Sequence, residues 1–240
     1  MQANRQADNC INRCTLTTAV LMFFIIPITI LFGMFFLDDR KYYFISLLMV
    51  IYAIIPFAMI FENRKPQARE LVIIAVLSAI AVAGRGAFFM LPQFKPVIAI
   101  VIIAGACFGA ESGFLVGAIA GFVSNLFFGQ GPWTPWQMFC FGIIGFLSGI
   151  LYKKGILKNT RLSLCIFGGL STFFIYGGII NISSLLIFMP RFSWKALLAT
   201  YVSGFWFDIV HTAATVFFLY IISQPMIEKL ERVKTKYGLM

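Results

Sequence analysis

Charged residues are scarce in this 240-residue sequence, at 12% of the chain, whereas hydrophobic residues make up 60%. In a soluble domain about a quarter of the residues are charged. The sequence also lacks a polar segment long enough to form a second globular domain. These absences exclude an ordinary soluble protein and predict one all-α integral membrane protein that crosses the bilayer several times.

Residues that bind metals are also few. His211 is the single histidine, which excludes a site built from several histidines. Three of the five cysteines lie in apolar runs, and Cys10 and Cys14 have no matching pair downstream. We therefore expect no zinc site, no disulfide framework and no permanently bound cofactor.

Catalytic and energy-coupling motifs are absent as well. The sequence has no G-x-x-x-x-G-K-[ST] phosphate loop, no H-E-x-x-H pair and no G-x-S-x-G elbow. The chain is therefore expected neither to be an enzyme nor to hydrolyse ATP. Its net charge of +10 comes from basic residues at the ends of apolar runs, which is typical of cytoplasmic loops and not of nucleic-acid binding.

Apolar runs of about twenty residues are present and predict membrane-spanning helices. The first run is interpreted as a span and not as a removable signal peptide, because polar residues precede it and a small-residue cleavage site is lacking. The uninterrupted runs cover residues 15–37, 42–61, 70–90, 135–152, 162–189 and 194–223.

Residues 96–128 form a longer apolar region with an acidic residue inside it. One helix of this length would rise roughly 50 Å and would place Glu111 near the bilayer centre. Two shorter helices that meet at Glu111 and Ser112 avoid both problems, and they give eight spans. With eight spans both termini are cytoplasmic and most basic residues lie inside, although a seven-span chain with an external amino terminus is almost as consistent with the charges.

Four segments follow from this topology. We predict an amino-terminal transmembrane helix pair over residues 1–61 and a charged cytoplasmic connector over residues 62–69. A six-helix substrate-binding core covers residues 70–223, and residues 224–240 form a cytoplasmic tail.

The polar side chains of the core are predicted to gather in its outer half. Polar groups within membrane segments usually face a bundle interior or a watery cavity, so this convergence indicates a ligand site. For Trp133 and Trp136 an interfacial aromatic belt is the alternative. The candidate substrate-binding residues are Arg85, Asn125, Trp133, Trp136, Gln137, Asn181, Tyr201 and Asp208.

Asp208 has three possible roles, because a carboxylate near the middle of a span must be protonated, solvated or paired. It could clamp two helices together, contact the substrate, or relay protons with His211. Arg85 is a possible ion-pair partner by its depth in the membrane.

Small residues recur at every fourth position in two places. Gly105, Gly109, Gly113, Gly117 and Gly121 predict close internal packing of helices. An alanine ladder, defined as Ala75, Ala79 and Ala83, could either tighten internal packing or form a surface on which another membrane subunit docks.

The core resembles the substrate-binding membrane subunit, or S component, of an energy-coupling factor (ECF) vitamin transporter. The resemblance rests on the alanine ladder, the glycine-rich segment 109–117, Asn125, and the aromatic loop 131–137. It covers about two thirds of the chain, and the two amino-terminal helices are extra to the usual six-helix plan.

This resemblance implies a multi-pass protein of the bacterial cell membrane that works without chemistry of its own. S components capture a micronutrient outside, dock on a transmembrane coupling protein through an A-x-x-x-A face, and topple when two cytoplasmic ATPases use ATP. Ala75, Ala79 and Ala83 match that face. The aromatic loop and the extra helices are most similar to S components for cobalamin or related corrinoids, and a smaller micronutrient is the alternative.

Two functions from other classes compete with this interpretation. One is a stand-alone secondary transporter that uses Asp208 and His211 for proton coupling. The other is a membrane scaffold whose aromatic loop binds a protein partner.

Overall fold

Helices make up all of the regular secondary structure in the residues that the structure describes, which are 20–36, 42–64, 68–189 and 193–238 of a computed structural model. The predicted all-α fold is confirmed. The first five residues and the last residue of the first predicted span, and Cys10 and Cys14, lie outside the described residues. The helices are α1 (Ile26–Phe36), α2 (Tyr42–Arg64), α3 (Ala68–Ala87), α4 (Val97–Phe108), α5 (Ala110–Phe128), α6 (Thr134–Lys153), α7 (Arg161–Leu170), α8 (Gly178–Phe188) and α9 (Trp194–Tyr237). A π-helical turn (Leu21–Ile25) precedes α1, and another (Ser171–Gly177) makes α7 and α8 one continuous helical run.

The lengths of these helices fit a multi-pass membrane protein. By length and apolarity, α3, α5, α6, the α7–α8 run and α9 can each cross a bilayer. Shorter apolar stretches lie in α1, α2 and α4. Eight helical runs in the described residues therefore correspond to the eight predicted spans.

The long apolar region 96–128 is broken into two helices, as predicted. Gly109 ends α4 with φ = +91°, a backbone conformation that glycine adopts far more readily than other residues. Glu111 lies in the first turn of α5, where the helix N-terminus favours a negative charge. The break is therefore two residues earlier than the predicted turn at Glu111 and Ser112. All twelve residues of α4 are buried, which places this short helix at the centre of the core.

Glycines hold α4, α5 and α6 together at backbone distance. A Cβ atom on Gly113 would lie 2.7 Å from the Gly145 carbonyl carbon and equally close to Gly105 Cα. Ser148 Oγ in α6 donates a hydrogen bond to the Ile102 carbonyl oxygen of α4 at 3.0 Å. The prediction that glycines at every fourth position pack these helices closely together is confirmed.

The other helices surround this centre. α3 packs against α4 and α5, and α9 packs against α4 and the α7–α8 run. The α1–α2 pair lies on the outside of α5 and α6. All of the candidate ligand-binding residues therefore lie in the core. The extra helix pair covers one flank of that core.

The last helix is much longer than predicted. The sequence pattern ended the span at residue 223, but α9 continues through Pro225 to Tyr237. Its end is held to the core because Lys234 Nζ donates to the Cys107 carbonyl oxygen at 2.8 Å. Within α9 the same ammonium pairs with Glu231 at 3.0 Å. The Arg69 guanidinium also lies 4.5 Å from the ring centroid of Tyr237.

Candidate functional site

Arg85 begins a polar network between α3 and α5. Its Nη1 donates to Ser124 Oγ at 2.5 Å and to Asn125 Oδ1 at 2.7 Å. The Phe128 ring covers the guanidinium, with its centroid 4.8 Å from Cζ. A cation is therefore held in the apolar core by neutral oxygens and an aromatic face.

Asn125 extends this network to α6 and to the aromatic loop. Its Nδ2 donates to Thr134 Oγ1 at 3.1 Å and to Gln137 Oε1 at 2.9 Å. Thr134 Oγ1 also accepts from the backbone N–H of Gly131 at 3.2 Å. One buried amide thus fixes the loop before α6 relative to Arg85. The structure thus brings together three residues that were predicted separately, Arg85, Asn125 and Gln137.

A second polar cluster joins α8 to α9. Asn181 Nδ2 donates to Asp208 Oδ2 at 2.7 Å, and Tyr201 Oη donates to the Gly178 carbonyl oxygen at 2.9 Å. Gly177 makes room for Asp208, because a Cβ atom there would lie 2.8 Å from Asp208 Cγ. This geometry corresponds to the helix clamp among the three roles considered for Asp208.

Arg85 and Asp208 do not form an ion pair, although their similar depth in the membrane made one possible. Arg85 bonds to α5, whereas Asp208 bonds to Asn181 of α8. His211 also does not bond to Asp208 through Nδ1, since that atom has no hydrogen-bond partner in the described part of the chain. Depth along a span says nothing about which face of the helix a side chain occupies, and here the faces differ.

Tyr176, which the sequence analysis missed, lies between the two clusters. Its ring stacks on Phe141 with centroids 5.2 Å apart and meets the edge of His211 at 4.6 Å. Tyr176 is buried, and these two ring contacts link it to α6 and to α9. The signal for it was a tyrosine inside an otherwise apolar run, Phe-Phe-Ile-Tyr.

Two buried ring nitrogens near this centre are left without partners. Trp136 is 7% exposed and His211 is 4% exposed. Trp136 Nε1 and His211 Nδ1 form no hydrogen bond to the residues the structure describes. A buried polar atom without a partner costs about 1–3 kcal/mol, so such atoms are candidates for ligand contacts.

The two tryptophans of the aromatic loop differ in their environments. Trp136 faces the core, whereas Trp133 is 37% exposed and its indole lies over Gly131. The pocket-wall role predicted for both therefore fits Trp136 better, and the aromatic-belt alternative fits Trp133.

A short aromatic segment, residues 88–96, covers the core between α3 and α9. Phe88 and Phe94 pack on Phe218, with ring centroids 5.0 and 5.3 Å apart. Lys95 Nζ donates to the carbonyl oxygens of Phe88 and Leu91, the latter at 2.8 Å. Partial burial, and then the positive charge of Arg85, lower the pKa of Lys95. This segment, which connects α3 to α4, is therefore anchored on α9 by its aromatic rings and closed on itself by Lys95.

The alanine ladder lies on the outer surface of α3. Ala75, Ala79 and Ala83 are all exposed. With Ile119 and Val123 of α5 they line an apolar groove of about 720 Å³. The ladder therefore does not pack against another helix of the described chain, and the internal-packing alternative is wrong for these residues.

Comparisons with known proteins match the core region. A family model described as "ECF transporter, substrate-specific component" matches residues 69–228. A UPF0397 protein of Aliivibrio salmonicida is 32% identical over 115 residues, which cover 46% of this chain and 60% of that protein. A UPF0397 protein of Vibrio atlanticus is 32% identical over 105 residues, which cover 41% of this chain and 57% of that protein. The chain thus spans at most about three-fifths of these relatives. No solved structure matches it.

Proposed function

Because the chain belongs to the family of ECF transporter substrate-specific components, we propose that it captures a vitamin-class micronutrient outside the cell and delivers it for import. S components of this family work with a transmembrane coupling protein and ATPases. In this proposal two cytoplasmic ATPases use the ATP, both termini of the chain are cytoplasmic, and the chain itself catalyses no reaction.

The observation that carries this proposal is the buried centre around Tyr176. Arg85 and Gln137 both bond to Asn125, and the His211 ring meets the Tyr176 ring at a centroid distance of 4.6 Å. Trp136 and His211 each keep one buried ring nitrogen without a partner among the described residues, and a bound ligand would supply that partner. The helices around the site are held in place by the polar atoms of three further candidates. These are Asn125 of α5, Asn181 of α8 and Tyr201 of α9.

A corrinoid such as cobalamin is the first ligand to test. Trp136, whose indole N–H is unused among the described residues, could cover part of its macrocycle. A smaller micronutrient is the second candidate, and one observation favours it. A corrin carries amide side chains that need polar partners, but the amides of Asn125 and Asn181 already bond to neighbouring residues.

Uptake by the complete transporter tests the proposal. We expect labelled cobalamin, or another vitamin of a screened set, to accumulate in proteoliposomes that hold this chain, a coupling protein and both ATPases with enclosed ATP. Liposomes with ATPases whose phosphate-loop lysine is replaced by alanine are the control and should not accumulate the label. ATP-independent accumulation, or no accumulation of any vitamin by a complex that hydrolyses ATP, would contradict the proposal.

Asp208→Asn separates this mechanism from a proton-coupled carrier. Asparagine can keep a hydrogen bond to Asn181, so we expect ATP-driven uptake within about threefold of the wild type. Asp208→Leu is the matched variant. It leaves the buried Asn181 amide without its acceptor, at a cost of about 1–3 kcal/mol, and should weaken ligand binding or folding.

The measurement is the initial uptake rate with enclosed ATP, and separately with a pH gradient and no ATP. Uptake driven by the pH gradient alone in the wild type, lost in Asp208→Asn, would favour the carrier that uses Asp208 and His211.

A further inference from the structure

No carboxylate in the described part of the chain balances the charge of Arg85. The structure gives it two hydrogen bonds, and both go to neutral oxygens, Ser124 Oγ and Asn125 Oδ1. Among the described residues no carboxylate forms an ion pair with it. Asp208 instead has Asn181 as its hydrogen-bond partner. A guanidinium within a membrane domain is costly unless it is paired, so this arrangement is incomplete.

The geometry of the guanidinium leaves room for a partner. An arginine has five N–H donors in a planar fork, and the two bonds of Arg85 both leave from Nη1. The Phe128 ring covers one face of the plane, at 4.8 Å. The fork can therefore still donate in its plane, which is the direction in which Arg binds a carboxylate or phosphate.

Two further observations concern the charge and the donors available. Lys95 Nζ and the Arg85 guanidinium both lie on the Phe128 ring, 5.9 Å and 4.8 Å from its centroid. Trp136 Nε1 can only donate a hydrogen bond, and it is buried without a partner in the described chain. Two neighbouring cations and an unused N–H donor suit an acceptor-rich anion.

We propose that the ligand of this site carries an oxyanion, a carboxylate or a phosphate ester, which pairs with the Arg85 guanidinium. The inference rests on the proposed function, because it names the chemical class of the micronutrient captured at that site. It also assigns Arg85 the part of the specificity that separates an anionic vitamin from its neutral analogue.

Matched pairs of probes test the class of ligand. We would measure the affinity of the purified chain in nanodiscs for pantothenate and pantothenol, biotin and biotin amide, nicotinate and nicotinamide, and cobalamin and cobinamide. The first member of each pair carries a carboxylate or a phosphodiester that the second lacks. For the pair that binds, we expect the anionic member to bind roughly 10- to 150-fold more tightly, as for a hydrogen bond to a charged group.

Variants then test the residue. Arg85→Gln should remove that preference, so that both members of the pair bind with similar, weak affinity. Arg85→Lys keeps the charge but loses the fork, and should keep part of the preference. Lys195→Gln, which removes an exposed cation from the first turn of α9, is the charge-matched control and should change nothing. The comparison of probes on the wild type does not depend on any variant that fails to fold.

The outcomes separate the inference from the function on which it rests. A neutral member that binds the wild type as tightly as its anionic partner would overturn the inference and leave the vitamin-capture function standing. An anionic preference that survives in a folded Arg85→Gln variant would also overturn it. If the chain instead binds a vitamin of the screened set that carries neither a carboxylate nor a phosphate, the inference is overturned and the vitamin-capture function stands. If a folded wild-type chain binds no vitamin of that set, the vitamin-capture function is contradicted, and the inference falls with it.

Discussion

Gly145→Ala is expected to destabilise the fold strongly. A single methyl group on Gly145 would lie 2.5 Å from the Gly113 carbonyl carbon, closer still to its oxygen, and 2.8 Å from Val101 Cγ1. The first two atoms are backbone, so no rotamer change can relieve the clash, and α5 and α6 would have to separate. We expect a loss of about 3 kcal/mol or more, a large part of a typical stability of about 5–15 kcal/mol.

Gly178→Ala provides the matched control. Gly178 is also helical, but a Cβ atom there would meet nothing within 4 Å. Alanine is the better helix former, so this variant should be at least as stable as the wild type. Thermal unfolding in detergent and the monodisperse fraction in size-exclusion chromatography are the measurements. Equal stability of the two variants would show that α5 and α6 do not approach as closely as the structure indicates.

The break between α4 and α5 could be predicted from the sequence because one physical cost dominates there. A continuous helix would place Glu111 deep in the hydrocarbon region, and no rearrangement of side chains removes that cost. The glycine ladder was predictable for a similar reason, since small residues at every fourth position have few uses in a membrane helix other than close packing. The backbone contacts of Gly105 and Gly113 with α6 agree with this prediction.

The partners of the polar residues could not be predicted in the same way. Sequence position gives the depth of Arg85 and Asp208 but not the rotation of their helices, and the structure turns them toward different neighbours. Tyr176 was missed because a tyrosine in an apolar run has no periodic pattern of its own. Whether the alanine ladder packs inside or faces outward depends on which helix lies beside α3, and spacing within α3 carries no information on that.

The helix pair α1–α2 lies outside the region that matches the family model, which begins at residue 69. It packs on the flank of α5 and α6 and does not line the groove of the alanine ladder, whose described walls are α3 and α5. The extra helices therefore enlarge the membrane domain. Among the described residues they leave the groove of the alanine ladder, where the coupling protein would dock, accessible. A coupling protein could approach this chain in the same way as it would approach a six-helix core.

Ala79→Leu is expected to weaken assembly with the coupling protein, and with it ATP-driven uptake, without affecting the isolated chain. Ala79 is exposed in the middle of the groove, so a leucine there meets no helix of the described protein and should leave folding and ligand binding unchanged. In the proposed complex a helix of the coupling protein would occupy the groove and approach α3 closely. Overpacking such a contact costs about 1–3 kcal/mol, which corresponds to roughly a 5- to 150-fold weaker complex.

The same substitution at another exposed alanine distinguishes a docking surface from a general effect of bulk in the membrane. Ala213 lines a separate apolar groove between α7 and α9, and Ala213→Leu should leave the complex and uptake intact. Co-purification with the coupling protein and vitamin binding by the isolated chain are measured for both variants. If Ala79→Leu assembles normally while Ala213→Leu does not, the coupling protein docks on the α7–α9 face. Because binding and assembly are measured separately, loss of assembly with binding retained assigns capture to the core interior and delivery to the outer face of α3.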